Sequence, residues 1–272
     1  MAGFAVEDAF IKSASTVMPL GQIIIMIGLL GIVAFATIAL TRAEPVLPRA
    51  ILSRTMAIRS GFEITGRLFY ALAIALTPLS VAAAILQASP LVVVLGAAWL
   101  FGEKVGVRRW IIILAGFCGV LIILRPGLAG FDALSVLALI GMLGFSGRDL
   151  ATRAAAPSLS NAQLGVAGFI MLTLAGGIIL AVTGGAIVPQ MPELAKVIGA
   201  AVFGVAGYGA ITQAMRTGEV AVVTPFRYTR LLFAMILGIT FFGERPDAAT
   251  LLGSAIIVGC GVLILTMGRK IT

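Results

Sequence analysis

The chain has 272 residues, of which 60% are apolar and only 11% are charged, and its mean hydropathy is +1.15. Soluble domains carry about 25% charged residues, so the composition excludes an ordinary water-soluble fold. The net charge of +8 predicts basic loops on one side of a membrane rather than a nucleic-acid partner. With no histidine and two cysteines, the sequence excludes histidine metal ligands, a histidine proton relay and a disulfide framework.

Apolar residues are grouped into consecutive segments of the length that a membrane-spanning helix needs. The segments cover residues 1–16, 18–41, 55–77, 79–101, 107–124, 132–155, 161–184, 194–216, 219–242 and 248–267. As a helix, the first one rises about 24 Å, which is less than the roughly 30 Å of a hydrocarbon core. Either the N-terminal helix is trimmed, which we expect, or it lies where the bilayer is thinned. Because Glu7, Asp8 and Lys12 interrupt it, we do not expect a cleavable signal peptide.

Two motifs occur twice in the chain. Phe-Gly-Glu-Lys at 101–104 returns as Phe-Gly-Glu-Arg at 242–245, and Cys-Gly-Val-Leu-Ile at 118–122 returns at 260–264. The offset is 141 residues for the first motif and 142 for the second. An offset held along the whole chain indicates two copies of one unit. We place the first copy at 1–127 and the second at 128–272.

Each copy holds an odd number of segments, so the second copy enters the membrane upside down relative to the first. The predicted fold is therefore an all-α integral membrane protein, with ten transmembrane helices arranged as two inverted five-helix repeats around a central cavity. Inverted repeats of this kind are typical of secondary transporters, which bind substrate at the repeat interface near the midplane.

The basic residues of the loops predict the orientation, because cytoplasmic loops are enriched in lysine and arginine. One side carries Arg42, Arg49, Arg54, Lys104, Arg108, Arg109, Arg153, Arg216, Arg269 and Lys270. The other side carries Lys12, Arg125, Lys196 and Arg245. The first side is predicted to be cytoplasmic, with both termini on it, in the inner (plasma) membrane of a bacterium.

Segment three carries ionisable side chains inside the membrane, where they are costly and mark candidate functional sites. Arg59, Glu63 and Arg67 are spaced by four residues, so they share one helix face and can pair in sequence. Tyr70 extends the same face. Two interpretations stay open for this face, an internal ladder of ion pairs and the wall of a polar cavity. The ladder suits Arg59 and Glu63, whereas Arg67 and Tyr70 lie nearer the middle of the segment.

Segment nine carries Arg227, Tyr228 and Arg230 close to Pro225. Proline removes a backbone hydrogen bond and makes this position a candidate hinge, as does Pro90 in segment four. Two arginines near the midplane need anions. These are either carboxylates of the chain itself or a carboxylate on a substrate, held by the guanidinium fork. The candidate carboxylates of the chain are Glu63, Asp8 and Asp149.

Further polar side chains occur in segments one, four, six and eight. Gln87 and Tyr208 are suited either to hydrogen-bond a substrate or to join helices. Asp8 and Lys12 are spaced as a helical i, i+4 pair. Left without a basic partner, Glu7 and Asp8 would instead be candidates to carry protons.

The paired Phe-Gly-Glu motifs, each before a glycine-rich helix, resemble the drug/metabolite transporter superfamily and within it the EamA type. Phe-Ala-Val-Glu-Asp-Ala-Phe-Ile-Lys at 4–12 and Arg-Pro-Gly at 125–127 are similar to that family as well. The resemblance covers essentially the whole chain. It implies that segments one, three, four, six, eight and nine surround a cavity, with five and ten behind. In general likeness the chain resembles YddG-type bacterial amino-acid exporters.

The sequence and the resemblance together predict a secondary transporter that exports small metabolites, most of all amino acids with apolar or aromatic side chains. The predicted carboxylate-binding residues are Arg67, Arg227 and Arg230, and the predicted acceptors for an ammonium group are Glu63, Asp8, Gln87 and Tyr228. Tyr70 and Tyr208 complete the predicted site. The expected partners are a small-molecule substrate, the lipid bilayer and, as one possibility, a proton gradient.

Three alternatives stay open. One is a multidrug or cation exporter that uses a membrane carboxylate, Glu7 or Asp8. The others are a channel and a membrane enzyme. Against an enzyme, the sequence has no P-loop and no Ser-His-Asp arrangement, so no catalysis, metal or other cofactor is expected.

Overall fold

The computed structural model describes residues 1–101, 106–125, 132–217 and 229–268. These residues form α-helices, one short 3-10 helix at Arg49–Leu52, and no strand. The α-helices are α1 (Ala2–Ala14), α2 (Leu20–Thr41), α3 (Arg54–Leu76), α4 (Leu79–Leu86), α5 (Ser89–Phe101), α6 (Val107–Leu124), α7 (Ser135–Arg153), α8 (Asn161–Thr183), α9 (Met191–Thr217), α10 (Thr229–Phe242) and α11 (Ala248–Gly268). Each overlaps one of the apolar segments predicted from the sequence, and α4 and α5 together form segment four. The helices α3, α9 and α11 extend one to three residues beyond their predicted segments.

Four stretches of the described chain are long and apolar enough to cross a membrane by themselves. They are Leu20–Thr41, Leu79–Leu100, Asn161–Thr183 and Met191–Ala214. The helices α6, α10 and α11 contain shorter apolar stretches. The helices α3 and α7 carry the buried charged residues Arg59, Glu63, Arg148 and Asp149. The charged faces of α3 and α7 are therefore turned towards the interior of the bundle.

Local sequence signals account for where several helices begin and end. The α8 helix starts with a capping box, in which Ser160 accepts from the backbone N–H of Gln163 and the Gln163 side chain accepts from the backbone N–H of Ser160. Ser53 caps α3 by accepting from the N–H of Met56. The α8 helix ends at Gly184, whose φ of +64° is favourable only for glycine.

The helices pack in pairs across the molecule. The α2 helix packs on α8, α3 on α7, and α6 on α11, while α1 packs on α9 and α10. Glycines permit close approach between α6 and α11. A Cβ added at Gly253 would lie only 2.6 Å from the carbonyl oxygen of Gly119. The same holds for α3 and α7, where a Cβ at Gly144 would lie 2.4 Å from the backbone nitrogen of Gly66.

The outer surface of the bundle is apolar. Large side chains such as Val33, Trp99 and Val182 are 64%, 87% and 83% exposed. Exposure of such a surface to water would be unfavourable, whereas lipid tails solvate it well. The buried charged groups, by contrast, lie inside the bundle on α1, α3 and α7, with Arg230 of α10 paired to Asp8 of α1.

Candidate functional site

A cavity lies in the middle of the helix bundle and encloses about 830 Å³ of non-atom space, open solvent at its mouth included. Its walls come from α1, α2, α3, the α4–α5 junction, α7, α8, α9 and α10. The lining residues are Met1, Phe4, Glu7, Asp8, Ile11, Ile24, Ile27, Arg67, Tyr70, Ala71, Ile74, Leu86, Gln87, Ser89, Pro90, Phe145, Arg148, Leu172, Ile211 and Arg230. No described residue of α6 or α11 is part of the lining, which agrees with the prediction that these helices stand behind the cavity. The helices α2 and α8, which are segments two and seven, line it as well, although the resemblance did not place them there.

One ion pair of the cavity joins α1 to α10. Arg230 donates to Asp8 Oδ2 through both Nη2 and Nε, the latter at 3.1 Å. The Tyr70 hydroxyl donates to the same oxygen at 3.3 Å. The Arg230 guanidinium also lies over the rings of Phe4 and Tyr70, 5.1 and 5.2 Å from their centroids. Arg230 is therefore held by one carboxylate and two aromatic rings at the edge of the cavity.

Glu7 is the carboxylate with the fewest contacts in the cavity. Its nearest described cation is Arg67, with Nη1 3.9 Å from Oε1, and no described residue donates a hydrogen bond to it. The carboxylate lies against α9 beside Gly204, where an added Cβ would come within 2.6 Å of Oε1. Glu7 is nevertheless only 3% exposed. A buried carboxylate with one distant counterion is suited to exchange partners.

Glu63 occupies a very different position, behind the cavity wall and 0% exposed. Oε1 accepts from Arg67 Nε at 3.1 Å and from Arg148 Nη1 at 3.2 Å. Oε2 lies 3.4 Å from Arg59 Nη2 and accepts from the Tyr208 hydroxyl at 3.2 Å. The ladder that the spacing of Arg59, Glu63 and Arg67 allowed is therefore present. Helices α7 and α9 extend it through Arg148 and Tyr208.

Tyr208 joins the same cluster from α9 and is 1% exposed. Its hydroxyl accepts from Arg59 Nη2. Its ring packs edge-on against Phe35 and Phe169, with centroids 6.0 and 5.4 Å away. Arg59 in turn donates to Thr152 at 2.9 Å. These contacts bind α3, α7 and α9 together on the side of Glu63 away from the cavity.

Segment four is broken where it meets the cavity. Pro90 has no N–H to donate to the carbonyl of Leu86, and α4 ends before Gln87 while α5 starts at Ser89. The Gln87 side chain is 2% exposed, lines the cavity and makes no hydrogen bond to any described residue. Ser89 pairs with Ser146 at 2.9 Å. The side-chain amide of Gln87 at this break is therefore available to hydrogen-bond a ligand.

The structure brings together most of the predicted site. Asp8, Arg67, Tyr70, Gln87 and Arg230 line the cavity, as does the proposed hinge Pro90. Glu63 and Tyr208 lie behind its wall, so direct contact of these two with substrate stays a prediction. Arg227, Tyr228 and the second proposed hinge, Pro225, lie outside the described residues.

The cavity also includes residues that the predicted binding set lacked, among them Phe4, Phe145 and Arg148. The repeat could have found them, because the 141-residue offset aligns Phe4 with Phe145 and Glu7 with Arg148. The i, i+4 spacing of Asp8 and Lys12 suggested an ion pair within α1, but each side chain has its partner elsewhere. Lys12 donates to the carbonyls of Ile74 and Thr77 and lies 3.8 Å from Glu244 instead. Within the described chain, no group of three metal-ligating residues occurs.

The comparison with protein families decides the assignment. The EamA-like transporter family model matches residues 1–125 and 133–267, which is nearly the entire chain. The chain belongs to the EamA-like transporter family. The family name and the printed names of the relatives below are those of transporters.

Curated relatives of this EamA-like protein carry different substrates in their names. It is 29% identical over 192 residues to a riboflavin transporter of Rhizobium johnstonii, covering 71% of this chain and 63% of that protein. It is 26% identical over 272 residues to the pseudopaline exporter CntI of Pseudomonas aeruginosa, covering 94% and 89%. It is 22% identical to an S-adenosylmethionine uptake transporter of Rickettsia prowazekii, covering 74% and 67%. The chain thus spans less than two thirds of the length of the riboflavin transporter.

The EamA-like chain also superposes on a solved crystal structure. The TM-score is 0.69 at 21% sequence identity, and the match covers 99% of this chain and 96% of the other. At that identity the match shows the shared fold alone. The three relatives above differ in the substrates that their names give, and one is named for uptake while another is named an exporter. The substrate of this member therefore has to be argued from its own cavity.

Proposed function

We propose that this EamA-like protein is a secondary transporter that exports small zwitterionic metabolites, above all amino acids with apolar or aromatic side chains, by alternating access. The observation that carries the proposal is the Asp8–Arg230 ion pair at the cavity edge. A zwitterion offers one ammonium and one carboxylate. It can therefore enter between Asp8 and Arg230 and give each a new partner, so that no unpaired charge remains buried.

The balance of charge around the cavity supports a substrate without net charge. Four carboxylates (Glu7, Asp8, Glu63 and Asp149) face four guanidinium groups (Arg59, Arg67, Arg148 and Arg230) in the described interior. A ligand with net charge would leave one buried group uncompensated, which costs several kcal/mol in a low-dielectric interior. A zwitterion does not incur this cost.

The rest of the cavity supports an apolar or aromatic side chain on the substrate. The cavity lining also carries the apolar side chains of Ile24, Ile27, Ile74 and Leu172. Phe145 adds an aromatic face beneath Arg67, whose guanidinium is 5.7 Å from the ring centroid. Such a surface binds apolar side chains in proportion to the area that they bury and does not select one shape, which suits a transporter of broad specificity.

We further infer the ten-span inverted repeat, with the first copy at 1–127 and the second at 128–272. The two ranges matched by the family model lie on either side of this boundary. Equivalent helix contacts support the symmetry. A Cβ at Gly3 of α1 would lie 3.2 Å from the carbonyl of Phe203 in α9, and a Cβ at Gly144 of α7 would lie 3.0 Å from that of Phe62 in α3. The 141-residue offset relates both members of these two contacts.

The proposed location is the bacterial inner membrane with both termini in the cytoplasm, as the distribution of basic loop residues favours. Alternating access would then come from rocking of one repeat against the other around the cavity. The broken fourth segment at Gln87–Pro90 supports flexing there, because its backbone is not held by continuous helical hydrogen bonds.

A second candidate function, export of cationic compounds or drugs, is favoured by Glu7 alone. This carboxylate has one cation at 3.9 Å and no hydrogen bond from a described residue, so a cationic substrate or a proton could compete for it. On this alternative, Glu7→Gln abolishes transport and Arg230→Lys leaves it intact. On our proposal, both variants lose amino-acid transport, and Arg230→Lys loses more because lysine cannot reproduce the bidentate fork.

The test is counterflow of labelled phenylalanine into proteoliposomes that hold the purified chain. Separate vesicles are preloaded with methionine, S-adenosylmethionine, riboflavin or a cationic drug, with and without an imposed proton gradient. Accumulation driven by methionine, and absent with Asp8→Asn, supports the proposal. Parallel vesicles are tested for uptake of labelled riboflavin and labelled drug. Uptake of either compound, together with no phenylalanine accumulation driven by any amino acid, would overturn the proposal. Glu193→Gln, an acid in the first turn of α9 away from the cavity, is the matched control.

A further inference from the structure

The Phe-Gly-Glu motif at 242–244 has no part in the substrate site, yet the structure gives its glutamate specific contacts. Glu244 follows α10 and accepts from the backbone N–H groups of Leu79 and Ser80, at 2.6 and 3.0 Å. These are the first residues of α4, so the carboxylate caps that helix at its positive end. The last turn of one helix is thereby fastened to the first turn of another.

Two glycines make this arrangement possible. Gly243 has a φ of +61° and turns the chain sharply after α10, so that the N–H of Glu244 donates back to the carbonyl of Gly238. A Cβ at Gly238 would lie 2.5 Å from Glu244 Oε2, so the carboxylate occupies the space that a side chain there would fill. The sequence around Glu244 is thus built to hold this carboxylate against α4.

Lys12 completes the arrangement from α1. Its ammonium donates to the carbonyls of Ile74 and Thr77, at 3.2 and 2.6 Å, and lies 3.8 Å from Glu244. Those carbonyls belong to the C-terminal end of α3, where a positive charge is favoured. Lys12 and Glu244 therefore fasten α1, the α3–α4 junction and the end of α10 at one point.

This point lies at one end of the cavity. Ile74 belongs to the cavity lining and also accepts from Lys12, and Ile11, the neighbour of Lys12, belongs to the lining as well. Within the described chain, α1 is joined to α10 and the loop after it by two ion pairs, Asp8–Arg230 in the cavity and Lys12–Glu244 at its end. Asp8 and Lys12 are one helical turn apart.

We propose that Lys12 and Glu244 form a latch that holds this end of the cavity closed, and that separation of α1 from α10 releases it. Both ion pairs cross the same helix contact, so a ligand that enters between Asp8 and Arg230 also moves Lys12 away from Glu244. The latch itself follows from the contacts alone. Its release by substrate rests on the function proposed above.

Spin labels report the latch directly. Two cysteines carrying the labels replace the exposed residues Thr16 and Arg245, on either side of the latch, in a chain whose Cys118 and Cys260 are changed to alanine. Pulsed electron paramagnetic resonance on the protein in nanodiscs then gives the distribution of distances between α1 and the end of α10. The parent should show mainly one short distance. Glu244→Gln and Lys12→Met should each raise the ratio of long to short distances about tenfold, the scale of a lost charge-assisted contact.

Asp247→Asn is the matched control, because this acid lies in the same loop but caps α11 and contacts neither α3 nor α4. Unchanged distances in both latch variants, with a folded protein, would overturn the latch. If Glu244→Gln fails to fold, Lys12→Met decides, since it leaves the cap on α4 in place. A further sample receives methionine. A latch that opens in the variants but does not respond to methionine overturns release by that substrate and leaves the latch standing.

Discussion

Two buried carboxylates of this protein, Glu63 and Asp8, differ in how many partners hold them. Glu63 lies behind the cavity wall, is fully buried, and is bound by three arginines and a tyrosine from α3, α7 and α9. Asp8 lines the cavity and is bound by one arginine and one tyrosine. A carboxylate with many partners cannot leave them without stranding several charges, whereas one with a single cation can exchange it for a ligand. The number of partners therefore separates a structural ion cluster from a binding site.

The largest effect is expected from Glu63→Ala, which removes the anion from the centre of the cluster. Arg59, Arg67 and Arg148 would then share a buried region without their common counterion, at a cost of about 3–5 kcal/mol. We expect little folded protein and a large loss of thermal stability in detergent, measured by fluorescence-detected size exclusion on heating. Glu193→Ala serves as the control. A Glu63→Ala protein that is as stable as the parent would show that the cluster is not structural.

The next effect is on transport and not on folding. Arg230→Ala removes the guanidinium that faces Asp8 at the cavity edge, where it is 12% exposed. Since Asp8 lines the cavity and keeps its bond from Tyr70, we expect the fold to persist while transport in the counterflow assay falls at least about 100-fold, as for loss of a charged partner. Loss of the fold in this variant would place Arg230 with Glu63 on the structural side of the comparison.

Two variants that each remove one tyrosine hydroxyl test the same difference between the Glu63 cluster and the Asp8 site. Tyr208→Phe removes a bond to Glu63 and leaves Arg59 with fewer acceptors, so it should cost about 1–3 kcal/mol of stability. Tyr70→Phe removes a longer bond to Asp8 in the cavity, so it should weaken substrate binding and change stability less. Melting curves and half-saturation constants of the two variants, measured side by side, check this. Equal effects on stability would contradict the distinction.

The smallest effect is expected at the surface, where Asp247 caps α11 by accepting from the N–H of Thr250 at 2.8 Å. This bond, then the Thr250 hydroxyl and Arg125, lower the pKa of Asp247 to about 2. A carboxyl whose pKa is lower in the folded state stabilises the fold above its unfolded pKa of about 3.9, and the contribution is lost as the pH falls towards 2. Asp247→Asn should therefore lower the melting temperature slightly at pH 7. That difference should shrink as the pH falls from about 4 to 2, and a constant difference would contradict the assignment.

The apolar segments explain why so much of the fold was predictable. Apolar segments of membrane length, separated by short loops, leave little choice beyond helices, because the backbone must satisfy its own hydrogen bonds in lipid. The positions of Arg59, Glu63 and Arg67 on one face follow from helical periodicity alone. Asp8, Arg67, Tyr70, Gln87 and Arg230 were predicted in the same way, as polar residues on otherwise apolar helices, and the structure places them around one cavity.

The sequence did not determine which charged side chains form ion pairs with one another. The spacing of Asp8 and Lys12 is that of a helical ion pair, yet Asp8 meets Arg230 from α10 and Lys12 meets Glu244 after the same helix. Glu63 and Glu7 are both buried glutamates, but one has three cations and the other a single distant one. Long side chains reach whichever helix packs nearby, and which helices are neighbours depends on contacts between residues far apart in the chain. The sequence therefore determined the helices, their apolar surfaces and the polar residues available. Only the tertiary structure decided which charges meet, and thus which of them are free to meet a substrate.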